Sequence, residues 1–144
     1  AYNVRVYGIL MNKRGEVLLS KEHRFGKKFT KFPGGGHEFG EGLIDGLKRE
    51  FQEELGISID VKSHFYTTDY FQVSAFDETE QLLSIYYKVT SKEVENIESN
   101  MQAIDLDGNQ EHHFIWKPLE QLRTDDVTYP IDKHVVGMLQ EEAS

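Results

Sequence analysis

The chain has 144 residues, enough for one domain with a buried core, and its 38% hydrophobic and 12% aromatic residues are typical of a globular protein. Cysteine is absent, which excludes disulfides, thiolate metal sites and cysteine nucleophiles, and which fits a reducing, cytoplasmic location. The net charge of −9 disfavours a broad surface for nucleic-acid backbones, and no apolar run is long enough to cross a membrane.

The first quarter of the chain predicts two strands and a basic loop. Residues 2–11 alternate between two faces as in a strand, residues 12–15 carry a turn signal, and residues 16–21 predict a second strand. The segment 23–31 is rich in basic and aromatic residues and is predicted as a loop, followed by a tight turn at 32–36. The glycines of that turn lead directly into a helical pattern.

The rest of the chain mixes helical and β-rich patterns. The predicted elements are a helix at 42–55, β-rich runs at 59–73 and 81–90, a short strand at 114–117, one helical turn at 118–122 and a final helix at 130–142 that starts with proline. We find no linker and no repeat, so residues 1–144 are expected to form a single domain. Strands, a helix, further strands and a final helix predict an α/β fold with a sheet covered on both faces.

Three glutamates on the first predicted helix are the strongest functional signal. Glu50, Glu53 and Glu54 stand at positions i, i+3 and i+4, which places their carboxylates on one helix face. Carboxylates so close together repel one another, and a hard divalent cation such as Mg²⁺ is the natural counter-charge. Glu54 also falls near the middle of the apolar stripe of this helix, where a carboxylate is costly unless it is paired or bound to metal.

The spacing of the residues around these glutamates matches a known signature. The chain resembles the Nudix hydrolases at every defined position of their motif, with Phe51 in a slot that is more often aliphatic. The matching residues are Gly35, Glu41, Arg49, Glu50, Phe51, Glu53, Glu54, Gly56 and Ile57. The resemblance implies a Nudix-type α/β/α sandwich with a mixed sheet between helices.

The resemblance also implies a metal site. Glu50, Glu53, Glu54 and the carbonyl of Gly34 are expected to bind Mg²⁺, with Mn²⁺ as the alternative ion. Arg49 is expected to pair with Glu53 at i+4 and hold it in its ligating orientation. For Glu41 two interpretations stay open: a similar supporting role, or an ordinary acid favoured by the dipole at the start of the helix.

The reaction implied by the family is metal-dependent hydrolysis of a phosphoanhydride bond in a nucleoside diphosphate linked to another moiety, of nucleotide, nucleotide-sugar or dinucleotide type. A general base assists if it lies within reach of the attacking water. The candidates are a motif glutamate such as Glu53, or Glu111, which is expected in a loop just before a strand. Glu78 and Glu80 are weaker rivals.

The basic segment before the motif offers candidate substrate contacts. Arg24, Lys27 and Lys28 are expected to meet substrate phosphates, and several aromatic residues are candidates for stacking on a base, although core packing explains each of them as well. The candidate aromatics are Phe25, Phe29, Tyr66, Tyr70, Phe71 and Tyr86. The sequence does not identify the substrate.

We expect a small nucleotide-like substrate, no nucleic-acid duplex and no membrane as partners, with a homodimer as an open alternative. The rival function is a non-catalytic Nudix domain that senses a nucleotide-like metabolite. Against it, the motif here is intact and no helix-turn-helix segment follows. An isoprenoid diphosphate isomerase of the same fold is disfavoured, because that enzyme uses a cysteine and this chain has none.

Overall fold

The computed structural model describes residues 1–144 and contains eight strands, two α-helices and three single turns of 3-10 helix. The strands are β1 Tyr2–Leu10, β2 Glu16–Arg24, β3 Lys27–Lys31, β4 Gly34–Gly36, β5 Asp60–Thr67, β6 Gln81–Thr90, β7 Met101–Gln102 and β8 Glu111–Pro118. The helices are α1 Leu43–Leu55 and α2 Pro130–Ala143, and the 3-10 turns are Val94–Asn96, Leu119–Gln121 and Thr124–Asp126. No helix is both long and apolar enough to span a bilayer.

The strands divide into two four-stranded sheets. The first has the order β4-β1-β6-β5 and is mixed. Strand β1 runs parallel to β6, whereas the pairs β1–β4 and β5–β6 are antiparallel. The second has the order β3-β2-β8-β7 and is antiparallel throughout. The predicted mixed α/β fold is confirmed, with the strands in two sheets.

Alternation along the central strand β1 creates two hydrophobic cores. Val6 and Leu10 are buried in a core that includes Phe51 of α1. Tyr7 and Ile9 point the other way, into a core shared with α2. Because successive side chains of a strand face opposite sides, one strand packs against both helices, as the predicted sandwich requires.

The segment 23–31, predicted as a loop, is instead the tip of a β-hairpin. Strand β2 continues to Arg24 and pairs with β3, and Phe25 and Gly26 form the two-residue turn with φ angles of 51° and 74°. Two residues at positive φ are what a tight hairpin turn with the twist of its strands requires. The alternation was hidden because the inward-facing position 31 is a lysine, a residue that normally marks a solvent-facing site.

Other boundaries also differ from the predicted ones. The β-rich run at 59–73 is a strand only as far as Thr67. The predicted turn at 32–36 includes the short strand β4, which pairs with β1. Strand β8 begins at Glu111, so this residue lies at the start of the strand and not in a preceding loop. Both α-helices agree with the predicted spans to within one residue at each end.

Gly8 on β1 permits the close packing of α1 against the first sheet. A Cβ at this position would lie 2.7 Å and 2.9 Å from two ring atoms of buried Phe51. We expect Gly8→Ala to lower the free energy of unfolding by about 1–3 kcal/mol, because the ring is enclosed by the core and cannot move aside freely. Urea denaturation measures this change.

Gly137→Ala is the matched control, since a Cβ at Gly137 in α2 would meet nothing within 4 Å. It should raise the free energy of unfolding by up to about 1 kcal/mol, because alanine is the better helix former. If Gly8→Ala unfolds at the same urea concentration as the wild type, the packing argument is wrong.

Candidate functional site

Glycines make room for two glutamates, one just before α1 and one within it. A Cβ on Gly35 would lie 2.7–2.8 Å from the carboxylate atoms of Glu50, and a Cβ on Gly46 would lie 2.7 Å from Oε1 of Glu41. These positions therefore hold glycine because a carboxylate occupies the space of a side chain. The helix also ends on a glycine, Gly56, with φ of 67° in the left-handed region.

Arg49 is the centre of the polar network on this helix. Its Nε and Nη2 donate to the two carboxylate oxygens of Glu41 at 3.0 Å and 2.8 Å, and Nη2 also donates to the carbonyl of Gly36 at 3.0 Å. Its Nη1 donates to Glu50 at 3.2 Å and to Glu53 at 3.2 Å. The pairing of Arg49 with Glu53 expected from their i, i+4 spacing is present.

Glu41 is held more firmly than an ordinary acid at a helix start would be. The hydrogen bonds from Arg49, together with the backbone N–H of Glu38, lower the pKa of Glu41 to about 2. Its carboxylate remains ionised at all ordinary pH values and fixes the orientation of the guanidinium. This geometry favours the supporting role over a simple interaction with the helix dipole.

Glu54 is a buried carboxylate without a partner. It is 5% exposed, and burial raises its pKa to about 8, with no hydrogen bond to favour the ionised form. Glu50 is 6% exposed, and burial raises its pKa as well, although Arg49 partly opposes this. The charge of Lys31 acts on Glu54 without a hydrogen bond and only partly offsets the cost of burial, so this face is suited to receive a further cation.

A buried lysine lies beside the glycine turn. Nζ of Lys31 is 2.8 Å from Oε2 of Glu22 and donates to the carbonyl of Gly34 at 3.2 Å. Burial alone would raise the pKa of Glu22, but the positive charge of Lys31 lowers it to about 2. Sequence reasoning missed both residues. The one available signal was that position 31 shares a strand face with buried Phe29.

The donor set of this face fits a hard divalent cation, because Glu50, Glu53 and Glu54 supply only carboxylate oxygens. No group of three side chains already converges in coordinating geometry. The reason is that Arg49 draws Glu50 and Glu53 towards its guanidinium. For all three glutamates to bind one ion, Glu50 and Glu53 must turn partly away from Arg49.

A cavity of about 260 Å³ lies next to the glycine turn. Aromatic side chains form part of its walls among polar and charged residues, and two cations, Arg5 and Lys31, line it on the side of the turn. The aromatic residues are Tyr7, Phe25, Phe29, Phe76, Tyr86 and Tyr129. Apolar walls with a few charged groups are typical of a small-molecule site.

The predicted substrate-binding residues do not converge on this cavity. Arg24 lines it, but its guanidinium donates to the carbonyl of Asp107. Nζ of Lys27 donates to the carbonyl of Ala75 at 3.0 Å, and Lys28 lies outside the cavity, on a separate hollow. Arg24 and Lys27 therefore hold neighbouring loops through hydrogen bonds, and their charged groups are not directed at a ligand in the cavity.

Only some of the remaining predicted residues line the cavity. Among the candidate aromatics, Phe25, Phe29 and Tyr86 line the cavity, whereas Tyr66, Tyr70 and Phe71 do not. Glu111 is exposed, lies opposite His23 in the second sheet and lines two other hollows, not the cavity. The structure does not bring Glu111 to the carboxylate face.

A second buried acid lines the inner part of the cavity. Asp132 of α2 is 4% exposed and accepts a hydrogen bond of 2.6 Å from the hydroxyl of Tyr86. Burial raises the pKa of Asp132 from 3.8 to about 6, despite the hydrogen bond from Tyr86 that favours the ionised form. These two residues are 46 positions apart in the chain, so no local pattern indicated their contact.

Asp132 makes stability depend on pH. Because its pKa is raised on folding, its favourable contribution is complete below about pH 4 and is lost as the pH rises through about 6. Asp132→Asn keeps an acceptor for Tyr86 and removes this titration. The melting temperature of the variant relative to the wild type should therefore increase between pH 4.5 and 7.5, by an amount that corresponds to about 1–3 kcal/mol.

The control for this experiment is Asp125→Asn, which alters an exposed aspartate. The difference in melting temperature between this variant and the wild type should be the same at pH 4.5 and at pH 7.5. Calorimetric melts of the three proteins give the comparison. An Asp132→Asn offset that stays constant or falls with rising pH would contradict the assigned burial.

Comparison with known proteins agrees with this geometry. The NUDIX domain family matches residues 1–136. A curated relative, an RNA pyrophosphohydrolase from Ruthia magnifica subsp. Calyptogena magnifica, is 37% identical over 59 residues, which is 41% of this chain and 32% of that protein. The chain thus spans about a third of the length of that relative.

Solved structures extend the similarity to the complete fold. A NUDIX hydrolase from Nitrosomonas europaea has a TM-score of 0.71 at 19% identity, covering 99% of this chain and 90% of that one. A MutT protein from Methanosarcina mazei Go1 has a TM-score of 0.71 at 20% identity, covering 99% and 96%. These structures establish the shared fold. Since the family match extends over nearly the whole chain and includes the glutamate motif, this protein belongs to the Nudix hydrolase family.

Proposed function

We propose that this protein is a metal-dependent pyrophosphohydrolase that cleaves a phosphoanhydride bond in a nucleoside diphosphate linked to another moiety. The observation that carries the proposal is the buried, unpartnered carboxylate of Glu54 beside Glu50. A protein without a cation to bind gains nothing from this arrangement, which costs stability. The adjacent aromatic cavity supplies a place for the organic part of the substrate.

Each residue of the face has a proposed role. Glu50, Glu53 and Glu54 hold Mg²⁺ or Mn²⁺, and such an ion polarises phosphoryl oxygens and acidifies water. Arg49 orients Glu50 and Glu53, and Glu41 holds Arg49 in place. The Gly34 carbonyl accepts a hydrogen bond from Lys31, and we propose it as a further ligand through its second lone pair.

Among the candidate general bases, we propose Glu53. It lies on the carboxylate face, and its side chain is 44% exposed, so water reaches it. Glu111 also reaches water, but it has no contact with this face and lies outside the cavity. Proton transfer needs the base within hydrogen-bond reach of the attacking water, which favours Glu53.

The substrate is proposed to be a small nucleotide derivative. The cavity of about 260 Å³ suits one base or sugar and not a long polymer, and the net charge of −9 disfavours contacts along a nucleic-acid backbone. The name of the matched relative makes the end of an RNA strand a second candidate. The lack of cysteine supports a cytoplasmic location.

A phosphate-release screen tests the proposal. We expect turnover with Mg²⁺ or Mn²⁺ for one class among nucleoside triphosphates, dinucleoside polyphosphates, nucleotide sugars, ADP-ribose and a short 5′-triphosphorylated RNA. EDTA should abolish it. A purified protein that binds a nucleotide but hydrolyses none would favour the ligand-sensing alternative, and turnover that survives EDTA would contradict the metal requirement.

Metal binding should be visible in stability as well as in activity. An ion that binds only the folded protein should raise the free energy of unfolding by about 2.7 kcal/mol at a hundredfold excess over Kd. Glu54→Gln removes a buried carboxylate, so this variant should melt at or above the wild-type temperature in EDTA. It should nevertheless lose most of the rise caused by Mg²⁺ and most of the turnover.

Glu98→Gln alters an exposed glutamate away from the site and should behave as the wild type in both conditions. Thermal melts in EDTA and in millimolar Mg²⁺ separate the cases. The assignment of Glu54 fails if its glutamine variant is destabilised in EDTA yet responds fully to the ion.

The choice of base is tested by comparing two glutamine variants. Glu53→Gln should lower kcat by about 10²–10⁴-fold, the usual range for loss of a general base. Glu111→Gln should stay within about threefold of the wild type, because the residue does not line the cavity. A large loss of kcat in Glu111→Gln, with its acidic pH–rate limb flattened, would return the role of base to Glu111.

A further inference from the structure

The cations around the glycine turn are nearly all engaged by groups of the protein itself. Arg49 bonds three glutamates, and Lys31 pairs with Glu22. Arg24 and Lys27 donate to backbone carbonyls of neighbouring loops. Arg5 differs from all of them, because it bonds neither a carboxylate nor a backbone carbonyl, and its one side-chain hydrogen bond goes to the hydroxyl of Tyr7.

Arg5 lies on β1 at the point where the cavity meets the glycine turn. It pairs in register with Gly36 of β4, and its Nη1 would be 3.8 Å from a Cβ on that glycine. The side chain also lines the cavity. Its guanidinium therefore lies between the aromatic residues of the cavity and the end of β4. The chain continues from that end into α1, which carries the glutamates.

Most of the hydrogen-bonding capacity of Arg5 is unused. Nε donates to the hydroxyl of Tyr7 at 2.6 Å, and the guanidinium lies 5.8 Å from the centre of the Tyr7 ring. A guanidinium has five N–H donors, so the four on its Nη atoms remain for a ligand. Glu22 and Glu50 act on Arg5 only at longer range.

A partly buried guanidinium without a carboxylate partner is unfavourable unless an anion pairs with it. The planar fork of its Nη donors matches the oxygens of a phosphate. We infer that Arg5 binds a phosphate group of the substrate and holds it between the cavity and the carboxylate face. This inference rests on the proposed function for the identity of the ligand, and it replaces the basic segment 24–28 as the source of the main phosphate contact.

The test is metal-free binding, measured by titration calorimetry in EDTA. The probes are inorganic pyrophosphate, the four common ribonucleoside diphosphates and the matching nucleosides. The proteins are the wild type, Arg5→Gln, Arg5→Lys and the control Lys13→Gln, which removes one positive charge from an exposed turn. Folding of each variant is checked by its melting temperature.

Arg5→Gln should weaken binding of the preferred nucleoside diphosphate about 10- to 100-fold, as expected for loss of charge-assisted hydrogen bonds, and should leave nucleoside binding within about twofold. Arg5→Lys should be intermediate, because a point charge replaces the fork. Lys13→Gln should match the wild type. This pattern places the contact on the phosphate.

Three results would overturn the inference: unchanged diphosphate binding in Arg5→Gln, an equal loss for diphosphate and nucleoside, or a wild type that binds none of the probes. An equal loss of affinity for diphosphate and nucleoside would mean that Arg5 acts only by stabilising the position of Tyr7 and the cavity wall. Turnover with Mg²⁺ separates this inference from the proposed function. Hydrolysis with Arg5-independent binding refutes the inference alone, whereas Arg5-dependent binding without hydrolysis of any nucleotide refutes the proposed function alone.

Discussion

The guanidinium of Arg49 allows an acidic helix to pack beneath a turn of glycines. It donates to Glu41, Glu50 and Glu53 and to the carbonyl of Gly36, so that one cation joins the turn to three carboxylates. Without this cation the carboxylates would repel one another across distances at which a partly buried site screens charge poorly. The close approach of β4 and the start of α1 depends on the same contacts.

Arg49 does not bind every buried carboxylate near the site. The carboxylates that it leaves unpaired are Glu54 and Asp132. Glu54 is buried next to Glu50 without a hydrogen-bonded cation, and Asp132 is buried at the cavity with one hydrogen bond. Each of them makes the folded state less stable than an apolar residue would. Two hydrophobic cores, one under each helix, offset this cost. Polar groups that lower stability in this way are typical of places where a ligand completes the structure.

Strand alternation explains why the cavity and the carboxylate face lie side by side. Strand β1 passes between both cores, and it carries Arg5 at the junction where it pairs with Gly36. Strand β3 carries Lys31 into the same region and ends just before the glycine turn. The aromatic residues of the cavity therefore lie next to Arg5 and Lys31, on the side from which the glycine turn leads to the glutamates.

The sequence by itself determined the features that depend on local spacing. The glutamates share a helix face because 3.6 residues complete a turn, and the extents of α1, β6 and α2 follow from periodicity and from a proline at the helix start. The motif predicted the pairing of Arg49 with Glu53, since those residues are four positions apart on one helix. These contacts are short-range, and a single chain segment specifies them.

Only the tertiary structure decided which charges are buried and which of them meet. The Lys31–Glu22 pair forms across a hairpin whose alternation is masked by the buried lysine, and Tyr86 meets Asp132 across 46 positions. The sequence also does not show that Arg5 lacks a carboxylate partner, because the residues around it come from β4 and from distant strands. A charged residue on a strand is normally expected to be exposed. It is buried only where a distant segment or a bound ligand supplies the opposite charge, and the sequence of the strand does not show this.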